Sequence, residues 1–172
     1  MLLPIEIDIY RYGSQHLQDH GWGCVYRSLQ NLTAMRKLPV PTISQMQQDI
    51  GIDPSGTGRH LWIEPIDVRR YLPENAALVL FSNVDNPDDY MLRTRASDVD
   101  RIVTTKQDAD DFLRACLAKQ QPVLLDDSVY SYLLIGLLDD DYIYIDPHCS
   151  DNNVRCLSRS EFYNRNLWMM LS

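Results

Sequence analysis

The sequence contains no apolar run of the roughly 18 residues that a membrane-spanning helix needs. It also contains no internal repeat, no low-complexity segment and no linker rich in glycine and serine. The opening residues, MLLPIEID, have no basic start and no long apolar stretch, so they do not predict a secretory signal peptide. These absences argue against membrane insertion and predict a single domain over residues 1–172.

Basic residues are scarce in this chain. Its 172 residues include 16 lysines and arginines against 24 aspartates and glutamates, which gives a formal net charge of −8. Nucleic acids and anionic membrane surfaces both favour a basic face on the protein that binds them. The charge balance therefore argues against nucleic-acid binding as the main function. Hydrophobic residues make up 45% of the chain, which is enough for a sizeable core.

The cysteines show no spacing that would predict a disulfide framework or a zinc ribbon. Together with the missing signal peptide, this predicts free thiols, a reducing compartment and a cytoplasmic location. A zinc site at His148, Cys149 and Cys156 is the competing use of these residues. It is disfavoured because the Cys-x-x-Cys spacing is absent and Pro147 restricts the reach of Asp146. Cys116, on the apolar face of a predicted helix, is interpreted as a core residue. We predict no metal and no cofactor.

Hydrophobic periodicity predicts a mixture of helices and strands. Apolar positions at helical spacing and capping residues predict helices over 22–35, 65–72 and 108–120. Thr42 and Ser158 are further capping signals, each at the start of a helix. Strands are predicted over 77–82, 122–126, 132–138, 141–146 and 167–171. Segments 51–58 and 83–100 are predicted loops. Helices first, followed by strands joined by short turns, indicate an α+β protein with an antiparallel sheet.

Cys24 lies at the predicted start of the first long helix, after Gly21-Trp22-Gly23. Unpaired N–H groups and the helix dipole favour an anion there, which lowers the pKa of a thiol. A nucleophilic cysteine requires such a place, and its own N–H can help to hold an oxyanion. The competing interpretation is a small buried residue of the helix. Arg27, three residues later, is interpreted as structural, paired with an acid.

Asp146-Pro147-His148 follows a predicted strand. Proline favours an extended conformation for the residue before it, and residues two apart in extended chain project to the same side. The carboxylate of Asp146 can therefore orient the His148 imidazole, as in a nucleophile–base–orienter triad. The competing interpretation is a turn with a surface histidine.

These two motifs together resemble those of the ubiquitin-fold-modifier-specific cysteine proteases. The resemblance lies in GWGCVYRSLQ at 21–30 and DPH at 146–148, with weaker similarity at YRY (10–12), LWIE (61–64) and 122–138. It covers nearly the whole chain and implies the short type of the family, with the catalytic domain only. The autophagy cysteine proteases share the order Cys…Asp-Pro-His, but their segment around the cysteine is less similar.

The resemblance implies a papain-like α+β fold with the nucleophile helix packed on a central antiparallel sheet. It also implies a thiol-dependent protease or isopeptidase that cleaves after the C-terminal glycine of a ubiquitin-like modifier. Such an enzyme matures the modifier precursor or removes the modifier from conjugates. The partners it implies are the modifier and its conjugates, and we predict a monomer.

Four residues of this chain match the family's catalytic positions. Cys24 matches the nucleophile, His148 the general base and acid, and Asp146 the residue that orients the histidine. Tyr12 matches a tyrosine whose hydroxyl donates to the oxyanion, although by itself it reads as a packed strand aromatic. Trp22 is expected to form a wall of a narrow groove for the modifier's tail or to pack beside the helix.

The chain departs from the family pattern at two places. Glu64 stands where the family has glycine, and Asp126-Asp127-Ser128 stands in a segment that tends to be rich in glycine. Neither place belongs to the triad, but both are expected to change loop shape or substrate access. They keep open a catalytically idle module that binds the modifier without cleaving it. A protease for the autophagy modifier is the other alternative.

Overall fold

The computed structural model describes residues 1–56, 58–82, 97–150, 153–165 and 167–172. Within these residues seven strands form one sheet. The strands are β1 (Leu78–Ser82), β2 (Arg101–Val103), β3 (Val123–Asp126), β4 (Ser131–Leu138), β5 (Asp141–Ile145), β6 (Val154–Ser158) and β7 (Leu167–Leu171). The α-helices are α1 (Cys24–Met35), α2 (Ile43–Ile50), α3 (Pro65–Val68), α4 (Lys106–Ala118) and α5 (Arg159–Tyr163), and 3-10 turns occupy Ser14–His16, Gly58–Leu61 and Arg69–Tyr71.

The strand order across the sheet is β2-β1-β7-β3-β4-β5-β6. Every neighbouring pair is antiparallel except β1 and β2, which are parallel. The predicted α+β class with an antiparallel sheet is therefore confirmed, with one parallel pair at an edge. The last strand in the chain, β7, lies in the middle of the sheet between β1 and β3.

Two strands were not predicted from the sequence, and both are edge strands. β2 exposes two of its three residues, and every residue of β6 is at least partly exposed. A strand at the edge of a sheet need not carry the apolar pattern that marks a buried one. The strands β1 and β3 are buried at every position, which places them in the core and explains why their apolar runs were readable.

Helix α1 packs against β3 and β4 and is buried over its first ten residues, Cys24–Thr33. Five of these ten side chains are polar: Arg27, Ser28, Gln30, Asn31 and Thr33. Polar groups that are removed from water need hydrogen-bond partners inside the protein. Three of them, Arg27, Gln30 and Asn31, bond to segments outside the helix and fix these segments against it.

The predicted helix boundaries agree with the structure to within about two residues, and the capping signals predicted at Thr42 and Ser158 are both used. The Thr42 hydroxyl accepts a hydrogen bond from the Gln45 N–H at 3.1 Å, and Gly51 ends α2 in the left-handed conformation at φ 75°. Ser158 and Glu161 cap α5 reciprocally. The helix predicted over 65–72 consists of α3 followed by a 3-10 turn.

The long predicted loop over 83–100 falls largely outside the described residues, since only its last four are described, as turn and bend. Within the described part of the chain, no helix is long and apolar enough to cross a bilayer. All four cysteines are free thiols. The single-domain interpretation of residues 1–172 stays a prediction.

The N-terminal cap of α4 generates a prediction about stability. The Thr105 hydroxyl accepts a hydrogen bond from the Asp108 N–H at 3.1 Å. We expect Thr105→Ala to lower the free energy of unfolding by about 1 kcal/mol, because this N–H loses its partner. Urea unfolding followed by circular dichroism measures the change. The matched control is Thr104→Ala at the neighbouring exposed threonine. An equal loss in both variants would contradict the capping role.

Candidate active site

Cys24 is the first residue of α1, as the sequence predicts, and its side chain is buried. The turn before it is held by the backbone carbonyl of Asp19, which accepts hydrogen bonds from the N–H groups of Trp22 at 3.3 Å and Gly23 at 2.9 Å. Gly21 adopts a φ of 85°, a conformation that glycine tolerates without strain. The tight turn thus places the thiol at the amino end of a buried helix.

Asp146 and His148 contact each other directly. The Asp146 Oδ1 atom lies 2.6 Å from the His148 Nδ1 atom, and both side chains are largely buried, at 16% and 23% exposure. Since Nδ1 faces the carboxylate, Nε2 is the ring nitrogen left for another partner. The pair thus has the arrangement in which a carboxylate orients an imidazole.

The contact arises from a turn rather than from the extended chain that the sequence predicts. Pro147 and His148 form the turn, and the His148 N–H donates to Asp146 Oδ1 at 2.9 Å. Asn153 braces it from outside, because its amide donates to the carbonyls of Asp146 at 2.9 Å and Cys149 at 2.7 Å. The Asp146 side chain thus accepts a hydrogen bond from the backbone two residues later, which is a usual way to stabilise a turn.

Tyr12 lies beside this turn. Its backbone N–H donates to the Pro147 carbonyl at 2.9 Å, and its ring centroid lies 4.9 Å from that of His148 in an edge-to-face arrangement. Tyr12 therefore contacts the turn that carries His148 and is not an aromatic residue of a remote strand. Tyr10 is held differently, since its backbone N–H and carbonyl both bond to the side-chain amide of Asn31 at 2.8 Å.

Cys24 and Asp146 both affect the pKa of His148. Burial alone lowers the pKa of His148, but hydrogen bonds to Asp146 and Cys24 and their negative charges raise it to about 9. Burial alone raises the pKa of Asp146, but hydrogen bonds from the His148 ring and backbone bring it below its ordinary value. The arrangement therefore favours a protonated imidazole between Asp146 and Cys24.

The Tyr12 hydroxyl also reaches Cys24. Burial, the negative charge of Cys24 and a hydrogen bond to its side chain raise the pKa of Tyr12 far above its ordinary value. The phenol therefore stays protonated at all ordinary pH values and is available as a hydrogen-bond donor. The structure thus brings Cys24, His148, Asp146 and Tyr12 together at one place.

Sequence reasoning missed the other aromatic residues around the imidazole. The ring of Tyr130 lies 5.2 Å from that of His148, and the ring of Tyr132 lies 5.9 Å from it. His20 packs against Tyr12, with the centroids of the two rings 5.2 Å apart. No spacing rule links these residues to Cys24 or to Asp146-Pro147-His148, because strand β4 and the loop before it bring Tyr132 and Tyr130 to the site.

A cavity of about 220 Å³ opens on Cys24. It is lined by Trp22, Cys24, Val25, Trp62, Ile63, Glu64, Asp67, Asp126, Ser128 and Val129. Both departures from the family pattern meet here. Burial raises the pKa of Asp126 to about 6, although hydrogen bonds from Ser131 and Ser128 lower it, and the charge of Glu64 raises it further. Three carboxyl side chains, those of Glu64, Asp67 and Asp126, thus line the cavity beside the thiol.

Asp127, the second of the three departing residues, shapes the β3–β4 loop instead. Its Oδ1 atom accepts hydrogen bonds from the N–H groups of Val129 at 2.9 Å and Tyr130 at 2.7 Å, and its carboxylate pairs with Arg165. Ser128 adopts a φ of 70° in this turn. An aspartate turn thus builds this loop and sets the position of Val129 and Tyr130.

Known proteins resemble the chain in sequence and in fold. No family model matches it. A probable Ufm1-specific protease of Oryza sativa subsp. japonica is 37% identical over 77 residues, which cover 39% of this chain and 12% of the rice protein. The crystal structure of UfSP from C. elegans matches 99% of this chain and 33% of that chain, with a TM-score of 0.66 and 16% sequence identity.

The resemblance to the Ufm1-specific proteases is confirmed. The papain-like fold, with α1 packed on the central sheet, is confirmed with it. The chain spans 12% of the length of the rice protein and 33% of the C. elegans chain.

The other three cysteines lie in different surroundings. Cys116 is in the core, as predicted, at 6% exposure. The Cys149 thiol lies 3.5 Å from Asp146 Oδ2, and the exposed Cys156 lies on β6 beside Asp141. Among the described residues, no three histidine, cysteine or acidic side chains come together as a metal site.

The raised pKa of His148 generates a pH prediction for the protease-like site. We expect Asp146→Asn to lower the pKa of His148 from about 9 by about one to three units, because the variant removes the anion that stabilises the imidazolium. NMR titration of the ring protons measures the midpoint. The wild-type shift also means that His148 stabilises the fold fully below its ordinary value of 6.5 and loses this contribution as the pH rises through about 9.

The control for this titration is Asp139→Asn, which removes one negative charge at an exposed turn. It should leave the midpoint of His148 unchanged. An unchanged midpoint in Asp146→Asn would instead show that the carboxylate does not hold the proton on the ring.

Proposed function

We propose that the chain is a thiol protease that cleaves after the C-terminal glycine of a ubiquitin-fold modifier. One observation carries the proposal: Cys24, at the start of a buried helix, lies beside His148, whose Nδ1 atom faces Asp146 Oδ1 at 2.6 Å. The resemblance to Ufm1-specific proteases supports the substrate class. Both precursor maturation and removal from conjugates use the same chemistry.

The first half of the reaction forms a thioester. The Cys24 thiolate attacks the carbonyl carbon of the modifier's terminal glycine, and an oxyanion develops on the carbonyl oxygen. The Tyr12 hydroxyl and the Cys24 N–H donate hydrogen bonds to this oxyanion. His148 gives its proton to the leaving amine as the C–N bond breaks. The modifier then remains attached through its glycine carbonyl to Cys24.

The second half hydrolyses the thioester. Neutral His148 takes a proton from a water molecule, and the resulting hydroxide attacks the glycine carbonyl carbon. The C–S bond breaks, so Cys24 returns as thiolate beside the protonated imidazole. The modifier leaves with a free C-terminal carboxylate. Asp146 stabilises the imidazolium in both halves and remains ionised throughout.

Large side chains flank the path to Cys24 and support a narrow groove. Trp22 lines the cavity and packs edge-to-face on Tyr26 at 5.5 Å, while Trp62 is anchored by a hydrogen bond from its Nε1 to the Gly21 carbonyl at 2.8 Å. Val129 lines the same cavity from the β3–β4 loop. A passage between such groups favours a substrate tail without side chains next to the cut.

The proposed mechanism predicts the effects of two substitutions. Cys24→Ala should abolish cleavage of a modifier precursor, because the nucleophile is gone. Tyr12→Phe should lower kcat about 100-fold and leave residual activity, because one of two oxyanion donors is lost. Cleavage kinetics with the precursor measure both effects. Tyr10→Phe is the matched control and should cleave at the wild-type rate, because Tyr10 is held to Asn31 through its backbone.

An electrophilic probe built on the modifier's tail separates an enzyme from an idle binding module. Covalent labelling of wild type and none of Cys24→Ala supports the enzyme. Tight binding without labelling would assign the chain to the idle class. An autophagy modifier precursor serves as a second substrate, and its preferential cleavage would reject the ubiquitin-fold modifier as the substrate. Cytoplasmic location and a monomeric state stay predictions.

The narrow groove generates a separate prediction about the substrate. A precursor whose terminal glycine is replaced by alanine should be cleaved at least about tenfold more slowly, because its methyl group meets the groove walls next to the reacting carbon. Initial rates at equal precursor concentrations measure the ratio. Equal rates for the two precursors would reject the narrow-groove explanation of specificity.

A further inference from the structure

Arg27 forms a buried ion pair one turn after Cys24. Its Nε atom lies 2.6 Å from Asp19 Oδ2, and neither side chain is exposed to solvent. The remaining nitrogens of the guanidinium donate to Gln30 Oε1 at 2.9 Å and to the Ser14 carbonyl at 2.7 Å. Taking two charges out of water is costly, so a fully bonded pair is weak evidence for stability and better evidence for a fixed arrangement.

Asp19 links the two segments that flank the candidate site. Its Oδ1 atom accepts a hydrogen bond at 2.8 Å from the N–H of Gly13, the residue that follows Tyr12. Its carbonyl accepts from the N–H of Gly23, the residue that precedes Cys24, at 2.9 Å. A single residue thus holds the backbone next to the tyrosine and the backbone next to the thiol.

The fit between Asp19 and the cysteine turn is close. A Cβ atom added to Gly23 would lie 2.7 Å from Asp19 Oδ2, which no real side chain tolerates without a shift. Glycine at this position therefore allows the carboxylate to approach the backbone that leads into α1. This approach gives the glycine of the cysteine motif a role distinct from backbone flexibility.

We propose that the Arg27–Asp19 ion pair positions the Tyr12 hydroxyl relative to Cys24, so that both proposed oxyanion donors face the same point. Arg27 fixes the carboxylate from α1, and the carboxylate fixes Gly13 and with it Tyr12. On its other side, Tyr12 is held by the hydrogen bond from its backbone N–H to the Pro147 carbonyl. Arg27 and Asp19 are positioning residues, and their role rests on the proposed function.

The test is a double-mutant cycle between Asp19→Asn and Tyr12→Phe. Asp19→Asn alone should lower kcat/KM for precursor cleavage about 10- to 100-fold, because a small displacement of a reacting group has effects of this size. In the Tyr12→Phe background the same substitution should change the rate less than about threefold, because the hydroxyl it positions is already absent. Equal factors in both backgrounds would overturn the proposal.

Alkylation of Cys24 by chloroacetamide distinguishes a positioning role of Asp19 from a merely structural one. This reaction uses the thiolate but develops no oxyanion, so Asp19→Asn should be alkylated at nearly the wild-type rate. A parallel loss of alkylation and hydrolysis would show general damage to the site. Arg27→Lys, which keeps the charge but loses the forked geometry, should give a smaller loss of cleavage and serves if Asp19→Asn fails to fold.

The control is Arg159→Gln, which breaks the ion pair between Arg159 and the buried Asp110. This pair contacts Tyr163 and none of the four site residues, so cleavage should be unchanged. If wild type does not cleave any precursor, the proposed function fails, and crystal structures of wild type and Asp19→Asn still decide the inference. An unmoved Tyr12 hydroxyl in the variant would then overturn it.

Discussion

The arrangement of the site depends on one constraint: helix α1 is buried on all sides over Cys24–Thr33, although half of these side chains are polar. Buried polar groups need hydrogen-bond partners, and two of the longest of these side chains find theirs in the segment that precedes the helix. Arg27 bonds to Asp19, and Asn31 clamps the backbone of Tyr10 on both sides. The desolvation of one helix therefore determines the path of the chain before it.

That path brings three distant parts of the chain together. The segment around Tyr12 lies between the cysteine turn and the turn that contains Pro147. The aromatic rings of Tyr12, Tyr130 and Tyr132 then surround His148 and limit how its imidazole can rotate. The imidazole is thus held by one carboxylate at its Nδ1 atom and by three neighbouring aromatic rings.

Acidic side chains line the cavity that opens on Cys24. Glu64 and Asp126, both at places where the resemblance leads us to expect glycine, are two of them. Asp127 uses its carboxylate to build the neighbouring turn. The two aspartates therefore have different effects, although they are adjacent in sequence: one changes the charge of the cavity and the other the shape of its rim.

The sequence by itself determined the buried elements and the local motifs. Apolar periodicity, Gly51 and the Ser158 cap placed most helices and strands, because these signals act over a few neighbouring residues. The edge strands β2 and β6 escaped detection because partly exposed strands carry no such pattern. The sequence also singled out Cys24 and Asp146-Pro147-His148, whose chemistry is readable from residue type and spacing.

Only the tertiary structure decided which residues meet. Nothing local to the last strand indicates that β7 inserts between β1 and β3, since strand order follows from pairing across long sequence distances. The same holds for Asp19 with Arg27, for the aromatic residues around His148, and for Glu64 with Asp126 at one cavity. Each of these contacts depends on how buried surfaces fit together in three dimensions, which short-range sequence patterns do not encode.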